Sequence, residues 1–151
     1  QGYVAAQYSL GVMHATGMGV SQDYEKAFNL YRLAAEQGYV AAQYNLGYLY
    51  DEGYGVEEDN REAVKWDRLA AEQGDASAQS NLGYMYINGY GVSEDYELAY
   101  MWWDLAHANG AKSAANNKMI VARVMTTAQI LEAQMLSKVC LENEYKNCVY
   151  Y

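Results

Sequence analysis

Apolar residues recur along the chain with the spacing of amphipathic helices. Near the start, Ala6, Leu10 and Met13 fall at positions i, i+4 and i+7, which lie on one face of a helix. The pattern predicts a helix over roughly residues 4–16. The sequence Gly-x-Gly-Val then begins at Gly17, and glycine ends a helix readily because it adopts left-handed backbone at little cost.

A second helix is predicted after each glycine turn. Asp23 stands near the start of the first such helix, where a carboxylate suits the positive end of the helix dipole. The apolar face of this helix consists of Ala27, Leu30, Tyr31 and Ala34. Acidic clusters at residues 57–59 and 94–97 follow the later turns in the same way. We therefore interpret these clusters as helix starts on a solvated face.

The two-helix unit repeats along the chain. Four glycines, each 36 residues from the next, open the successive copies: Gly2, Gly38, Gly74 and Gly110. The segments GYVAAQYSLG, GYVAAQYNLG and GDASAQSNLG begin at the first three. Such internal repetition is the signature of stacked helical repeats. We predict one domain with repeats over residues 2–37, 38–73 and 74–109, a closing repeat over 110–145 and a tail of 146–151.

Three glycines lie in the middle of the predicted first helices, at Gly11, Gly47 and Gly83. A glycine there costs about 1 kcal/mol of helix stability relative to alanine. Its recurrence at one register predicts a close crossing of two helices rather than a hinge.

The pattern A-A-E-Q-G-x-x-x-A-Q-x-x-L-G-x-x-Y, followed by G-x-G-V-x-x-D, resembles the SEL-one-like repeat, a branch of the tetratricopeptide-type helical repeats. The resemblance covers residues 2–109 closely. It implies an all-α fold, an α/α solenoid of four helix-turn-helix repeats forming a right-handed superhelix. It also implies a bacterial adaptor that binds a peptide or partner domain on the concave face of the array. Two other functions stay open: a β-lactam hydrolase, as described for some relatives, and a purely architectural spacer.

Both ends of the array differ from the inner repeats. In the closing repeat Lys118 replaces a leucine, and we expect it to face outward because a terminal repeat has no neighbour to cover it. Thr126 and Gln129 form a predicted capping box at the start of the last helix. At the other end Gln1 aligns with Gln37, so we expect the chain to be a piece of a longer array.

Composition narrows the range of partners. The formal net charge is −9, with 10 lysines and arginines against 19 acidic residues. That balance argues against nucleic acid, whose binding needs a basic surface, and against an anionic membrane surface. It serves either solubility or a preference for a basic partner. No window of about eighteen apolar residues occurs, so we expect no direct membrane insertion.

The sequence carries little that points to catalysis. His14 and His107 lie in different predicted helices, away from any candidate nucleophile or metal ligand. The serine–lysine motif of β-lactam hydrolases and the phosphate-binding glycine loops are missing. We therefore predict no enzyme activity, no cofactor and no metal site. Asp67 takes a core register and is predicted either to face solvent or to pair with Arg61 or Arg68.

Cys140 and Cys148 are the only cysteines in the sequence. On one straight helix they would lie about 12 Å apart, which is beyond disulfide reach. A bond therefore requires the chain to turn back after about Asn143, and two free thiols are the alternative. The C-x7-C ending resembles the tails of some exported family members. That resemblance favours the bond, and with it a periplasmic or secreted location over a cytoplasmic one.

The resemblance also implies a binding face on the first helices. Leu10, Leu46 and Leu82 are expected to face the core, and the residue before each leucine points about 100° away. In related tetratricopeptide repeats, asparagines at that register hydrogen-bond the backbone of a bound peptide. The predicted partner-binding residues are Tyr8, Tyr44, Asn45, Tyr48, Asn81, Tyr84 and Asn117. Asp51 and Glu52 would favour a basic ligand. The alternative is that the asparagines only brace the neighbouring repeat.

Overall fold

The computed structural model describes residues 2–146 and 148, and these residues form eight α-helices without a β-strand. In chain order the helices are α1 Gly2–Thr16, α2 Tyr24–Ala35, α3 Val40–Glu52, α4 Asn60–Ala71, α5 Ala76–Asn88, α6 Tyr96–Ala108, α7 Lys112–Ala122 and α8 Thr127–Glu142. Each predicted repeat contains two of them, so the predicted all-α helix-turn-helix architecture is confirmed. None of these eight has the length and apolar stretch needed to cross a bilayer.

Aspartate side chains begin the second helices, as the sequence predicted. The carboxylate of Asp23 accepts the backbone N–H of Lys26 at 3.0 Å, and that of Asp95 accepts the N–H of Leu98 at 2.9 Å. These bonds satisfy helix N–H groups that have no partner within their own helix. The N–H of Lys26 also lowers the pKa of Asp23, because it stabilises the charged carboxylate.

Two of the mid-helix glycines lie at close helix crossings. A Cβ atom on Gly11 would stand 2.8 Å from the ring of Tyr31, and one on Gly83 would stand 2.6 Å from Nε1 of Trp103. These distances leave no room for a methyl group. At both positions the predicted close crossing is confirmed.

Two compact units divide the chain after Trp66, and each is described separately. In the first unit, buried side chains of α2 and α3 form one hydrophobic core: Ala27, Tyr31, Ala34, Ala35, Ala42, Leu46 and Leu49. Leu10 was expected to face the core as well, and this is wrong because its side chain is 41% exposed. Among the described residues α1 is the first helix, and none of them precedes it to cover that face.

The second unit packs around α6, which contacts α5, α7 and α8. Its fully buried side chains include Leu82, Met101, Trp102, Leu105, Ala106 and Ala114. The closing helix α8 begins with the predicted capping box, in which Thr126 and Gln129 each accept the other's backbone N–H. The helices α5, α6 and α7 thus lie where the sequence repeat predicts them.

Lys118 does not face outward, so that expectation is wrong. Its ammonium lies 2.5 Å from a carboxylate oxygen of Asp104, and both side chains are more than half buried. The same ammonium stands 5.6 Å from the centre of the Tyr100 ring. The charge of Asp104 and the ring face of Tyr100, both on α6, hold the lysine side chain against the helix packing.

Candidate interaction surface

A glycine-flanked turn positions a tyrosine beside the end of α3. Gly53 and Gly55 both have left-handed backbone, with φ of 67° and 72°, and Tyr54 lies between them. A Cβ on Gly55 would collide with the carbonyl group of Tyr24, so the turn lies directly against the start of α2. The ring of Tyr54 consequently stacks on the ring of Tyr24, with centroids 4.8 Å apart.

Tyr48 of α3 completes a group of three rings. Its ring meets the ring of Tyr54 edge to face, at 6.0 Å and 71°. Tyr48 remains 40% exposed and Tyr54 36% exposed. The side-chain amide of Gln22 donates to the hydroxyl of Tyr24 at 3.1 Å and helps to hold that ring. We refer to Tyr24, Tyr48 and Tyr54 as the tyrosine cluster.

Carboxylates border the tyrosine cluster. Burial raises the pKa of Asp51, and the neighbouring charges of Glu52 and Glu58 raise it further. Burial also raises the pKa of Tyr48, and Glu52 adds to this effect ahead of Tyr54, Tyr24 and Asp51. The surface around these rings is therefore electrically negative.

Asn45, one of the predicted peptide-binding residues, is hydrogen-bonded to packed side chains of its own unit. Its amide donates to the hydroxyl of Tyr8 at 3.4 Å. Burial, followed by the nearby Tyr8, raises the pKa of Tyr31 to about 12, while a hydrogen bond from Asn45 acts in the opposite direction. The ring of Tyr8 in turn packs on Tyr39 at 4.9 Å. Both Asn45 and Tyr8 are half buried, so they offer only part of their surface to a ligand.

Asn81, at the same repeat position in the second unit, is also hydrogen-bonded within its own unit. Its amide donates to a carboxylate oxygen of Asp67 at 3.4 Å, and Asp67 is fully buried. The alternative that Asp67 faces solvent is therefore wrong. The guanidinium of Arg68, one of its two predicted ion-pair partners, donates to the hydroxyl of Tyr86 at 2.9 Å.

The remaining predicted surface residues of the second unit lie on α5 and α7. Tyr84 is 52% exposed and meets Tyr90 edge to face at 5.8 Å and 67°. This pair repeats the geometry of Tyr48 and Tyr54. Asn117 on α7 is half buried, and so is Tyr44 on α3 of the first unit.

The sequence interpretation missed the turn tyrosines. Tyr54 and Tyr90 each occur in a Gly-Tyr-Gly turn, six residues after Tyr48 and Tyr84 respectively. That spacing was the available signal, because the turn reverses the chain beside the end of the helix. Tyr48 and Tyr84 therefore each form a pair of exposed rings with a turn tyrosine.

The chain turns back after α8 and forms a disulfide. Glu144 and Tyr145 have left-handed backbone, with φ of 52° and 64°, which directs the tail back along the helix. Cys140 and Cys148 are bonded, with their Cα atoms 4.8 Å apart, and both are buried.

The titratable side chains do not group into a metal site within the described part of the chain. Over the described residues, no three His, Cys, Asp or Glu side chains cluster in a way that could hold a metal ion. His14 is half buried on α1, and His107 is exposed near the end of α6.

The helix pairs and a matching family model identify the class and the family of this protein. Paired helices at a 36-residue period define a helical-repeat protein, and a model of the Sel1 repeat matches residues 4–39, 40–75 and 76–110. The chain therefore belongs to the Sel1 repeat family, as its motifs predicted. A comparison with curated proteins gives no match.

Two solved structures of bacterial proteins are similar to this chain. One is a Sel1 repeat protein from Oxalobacter formigenes, with 39% identity, a TM-score of 0.73, and coverage of 76% of this chain and 46% of its own. The other is a protective antigen of uropathogenic Escherichia coli strains that displays an SLR fold. It has 30% identity, a TM-score of 0.79, and coverage of 98% of this chain and 40% of its own. This chain thus spans less than half the length of either protein. The likeness confirms the predicted helical-repeat fold.

Proposed function

We propose that this chain is a protein-interaction scaffold that binds a peptide or a partner domain on the face of its first helices. Sel1 repeats commonly serve as such scaffolds. The observation that carries the proposal is the pair of tyrosines found in each unit, Tyr48 with Tyr54 and Tyr84 with Tyr90. All four rings are exposed, yet each is fixed by an edge-to-face contact with its neighbour.

Rings of this kind suit recognition. Tyrosine provides a large contact area and a polar hydroxyl while losing little side-chain entropy, and it is enriched among the residues that dominate binding energy. Contact with a second ring reduces that entropy cost further. A partner that covers such a pair gains apolar contact without ordering a mobile side chain.

Asn45, Asn81 and Asn117 supply the polar part of the proposed face. An amide side chain carries two N–H donors and one carbonyl acceptor. Asn81 uses one donor for Asp67, whereas Asn45 is hydrogen-bonded to both Tyr8 and Tyr31. The rest of each amide can pair with the backbone of a bound peptide. Because these asparagines also take part in packing, alanine variants of them test packing and binding together, and the tyrosines give the cleaner test.

The test begins with peptides selected from a random library on the unaltered chain. We expect the double variant Tyr48→Ala/Tyr84→Ala to bind the selected peptides about tenfold more weakly, the loss typical of a dominant contact residue. The matched control is Leu33→Ala/Leu69→Ala, which removes equally exposed apolar side chains from the second helices α2 and α4. Undiminished binding by the tyrosine variant, or an equal loss in the control, would contradict the proposed face.

A periplasmic or secreted location is part of the proposal. Disulfides persist in oxidising compartments and are rare in the cytosol, so the bond between Cys140 and Cys148 supports it. Fractionation of cells that produce the native protein tests it. We expect the protein in the periplasm or the medium with both cysteines oxidised. Recovery from the cytoplasm with two reduced thiols would argue for the cytoplasmic alternative.

A further inference from the structure

The proposed scaffold function leaves the chemistry of the partner open, and the first unit narrows it. We propose that the tyrosine cluster, together with Asp51 and Glu52, is a binding site for an arginine or lysine side chain of a basic partner peptide. This inference rests on the proposed function, because it specifies what part of that partner the face recognises.

The arrangement of the rings provides the first argument. Tyr24 and Tyr54 stack almost in parallel, with an interplanar angle of 23°, and Tyr48 stands nearly perpendicular to Tyr54. The three rings therefore form a corner in which the exposed Tyr48 and Tyr54 can present an aromatic face to a ligand. A cation within about 6 Å of an aromatic ring centre gains roughly 0.5–2 kcal/mol from the negative ring face.

The position of the carboxylates provides the second argument. Asp51 and Glu52 follow Tyr48 by three and four residues on α3, so they lie on the same side of the helix as that ring. The influence of both acids on the pKa of Tyr48 places their charges within electrostatic range of its hydroxyl. A cation that sits over the rings is therefore also attracted by two carboxylates.

The charge balance of the site provides the third argument. Burial, Glu52 and Glu58 all raise the pKa of Asp51, whereas a paired cation would lower it. Two nearby cations of α2 are engaged elsewhere, since Lys26 pairs with Asp23 at 3.0 Å and Arg32 lies 5.9 Å over the ring of Phe28. The negative charge at the cluster is thus available to a cation from a partner.

The second unit provides an internal comparison. Tyr84 and Tyr90 reproduce the edge-to-face ring pair, but Ile87 and Asn88 stand where the first unit has Asp51 and Glu52. The second unit therefore contains the same kind of ring pair without the two carboxylates that Asp51 and Glu52 supply in the first unit. This difference predicts that a basic side chain selects the tyrosine cluster over the pair in the second unit.

The experiment uses a short glycine–serine peptide that contains several arginines. Its matched control carries citrulline, which has nearly the shape of arginine but is uncharged, with a carbonyl oxygen in place of one NH2 group. Binding is followed through the NMR signals of the tyrosine rings. We expect the arginine peptide to shift the signals of Tyr48 and Tyr54 more than those of Tyr84, and the citrulline peptide to bind about tenfold more weakly.

Two variants with the same change in net charge separate a site from general attraction. Asp51→Asn/Glu52→Gln removes two charges beside the cluster, and we expect it to weaken arginine-peptide binding about tenfold. Glu94→Gln/Glu97→Gln removes two charges from the start of α6 and should leave binding within about twofold of the unaltered chain. Circular dichroism and thermal melting confirm that both variants are folded.

The results can distinguish failure of the cation site from failure of the scaffold proposal. Equal binding of the arginine and citrulline peptides, equal losses in the two charge variants, or no binding of the arginine peptide would each overturn the inference. The scaffold proposal is decided separately by the library-selected peptides. If those peptides are neutral and still depend on Tyr48, the scaffold stands and the preference for a cation falls. If no selected peptide depends on Tyr48 or Tyr84, the proposed face itself fails.

Discussion

The hydroxyl of Tyr145 donates a hydrogen bond to Oδ1 of Asn109 across 2.9 Å. The amide of Asn109 donates in turn to Gln79 at 2.9 Å, and the amide of Gln79 donates to the carbonyl of Ala71 at 3.1 Å. Tyr145 stands 36 residues after Asn109, at the register of Gln37. The tail after α8 is therefore hydrogen-bonded to the end of the third repeat and forms part of the packing.

Removing the hydroxyl of Tyr145 should weaken this end of the chain. We expect Tyr145→Phe to lower the free energy of unfolding by about 1 kcal/mol, because Asn109 loses one hydrogen bond while the ring keeps its contacts. Urea denaturation measures the change. The control is Tyr3→Phe, since Tyr3 is the most exposed tyrosine of α1 and should show almost no effect. Equal effects of the two changes would refute a structural role for the Tyr145 hydroxyl.

The disulfide should form in the native protein and contribute to its stability. We expect mass spectrometry after alkylation under non-reducing conditions to find Cys140 and Cys148 linked and unmodified. Replacing both with alanine should cost about 2 kcal/mol, because an open tail gains conformational freedom in the unfolded chain. Recovery of two alkylated cysteines from the unreduced native protein would show that the bond does not form.

The crossing at Gly83 should not tolerate a methyl group. Alanine favours helix by about 1 kcal/mol over glycine, yet its Cβ would collide with the indole of Trp103, whose N–H donates to the carbonyl of Ser80 at 3.1 Å. We expect Gly83→Ala to cost about 2 kcal/mol in a thermal or urea melt, because the indole must move. Gly2→Ala is the control: no atom lies within 4 Å of that Cβ position, so a small gain is expected. A gain at both sites would disprove the close crossing.

Asn81 should contribute to stability through buried Asp67. We expect Asn81→Ala to lower the free energy of unfolding by about 1–3 kcal/mol, because a fully buried carboxylate loses a donor. Asn116→Ala makes the same change at an exposed position of α7 and should be neutral or slightly stabilising. Matching melting curves for Asn81→Ala and the unaltered chain would show that this hydrogen bond does not contribute to folding.

The carboxyl of Asp51 should make the stability of the chain depend on pH. The pKa of Asp51 in the folded chain is raised above its unfolded value of 3.8. At a pH between 3.8 and the folded-state pKa, the folded chain therefore holds a proton that the unfolded chain has released. Stability contributed by this group therefore falls as pH rises through that interval. We expect Asp51→Asn to melt at a higher temperature than the unaltered chain near neutral pH, with the gap closing as pH falls towards 3.8. A gap that does not change with pH would contradict the raised pKa.

Local features of the fold could be predicted from the sequence. Asp23 and Asp95 cap helices through N–H groups only three residues away, and the capping box of Thr126 and Gln129 is equally local. The crossing at Gly83 was also predictable, because a glycine repeated at one helical register costs stability unless a neighbour requires the space.

Features that depend on residues far away in the sequence were harder to predict from it. The inward position of Lys118 depends on Asp104 and Tyr100 of another helix, and no local pattern reveals that pairing. Exposure of Leu10 depends on whether a further helix covers α1, although Leu46 and Leu82 at the same register are buried. The contacts of Asn45 likewise depend on the hydroxyl of Tyr8, which lies 37 residues away.

Two hydrogen bonds, one within the first helix pair and one from the second pair to the first, bear on how the chain folds during synthesis. Gln37 donates to Gln7 over a separation of 30 residues, and Asn45 donates to Tyr8 over 37. A nascent chain therefore holds both partners of such a bond as soon as about one further repeat has been synthesised, which takes a few seconds at roughly 5–20 residues per second. Short loops of this kind close fast and at low entropic cost. The first helix pair can thus be consolidated by the second while translation continues, before the whole chain has been synthesised.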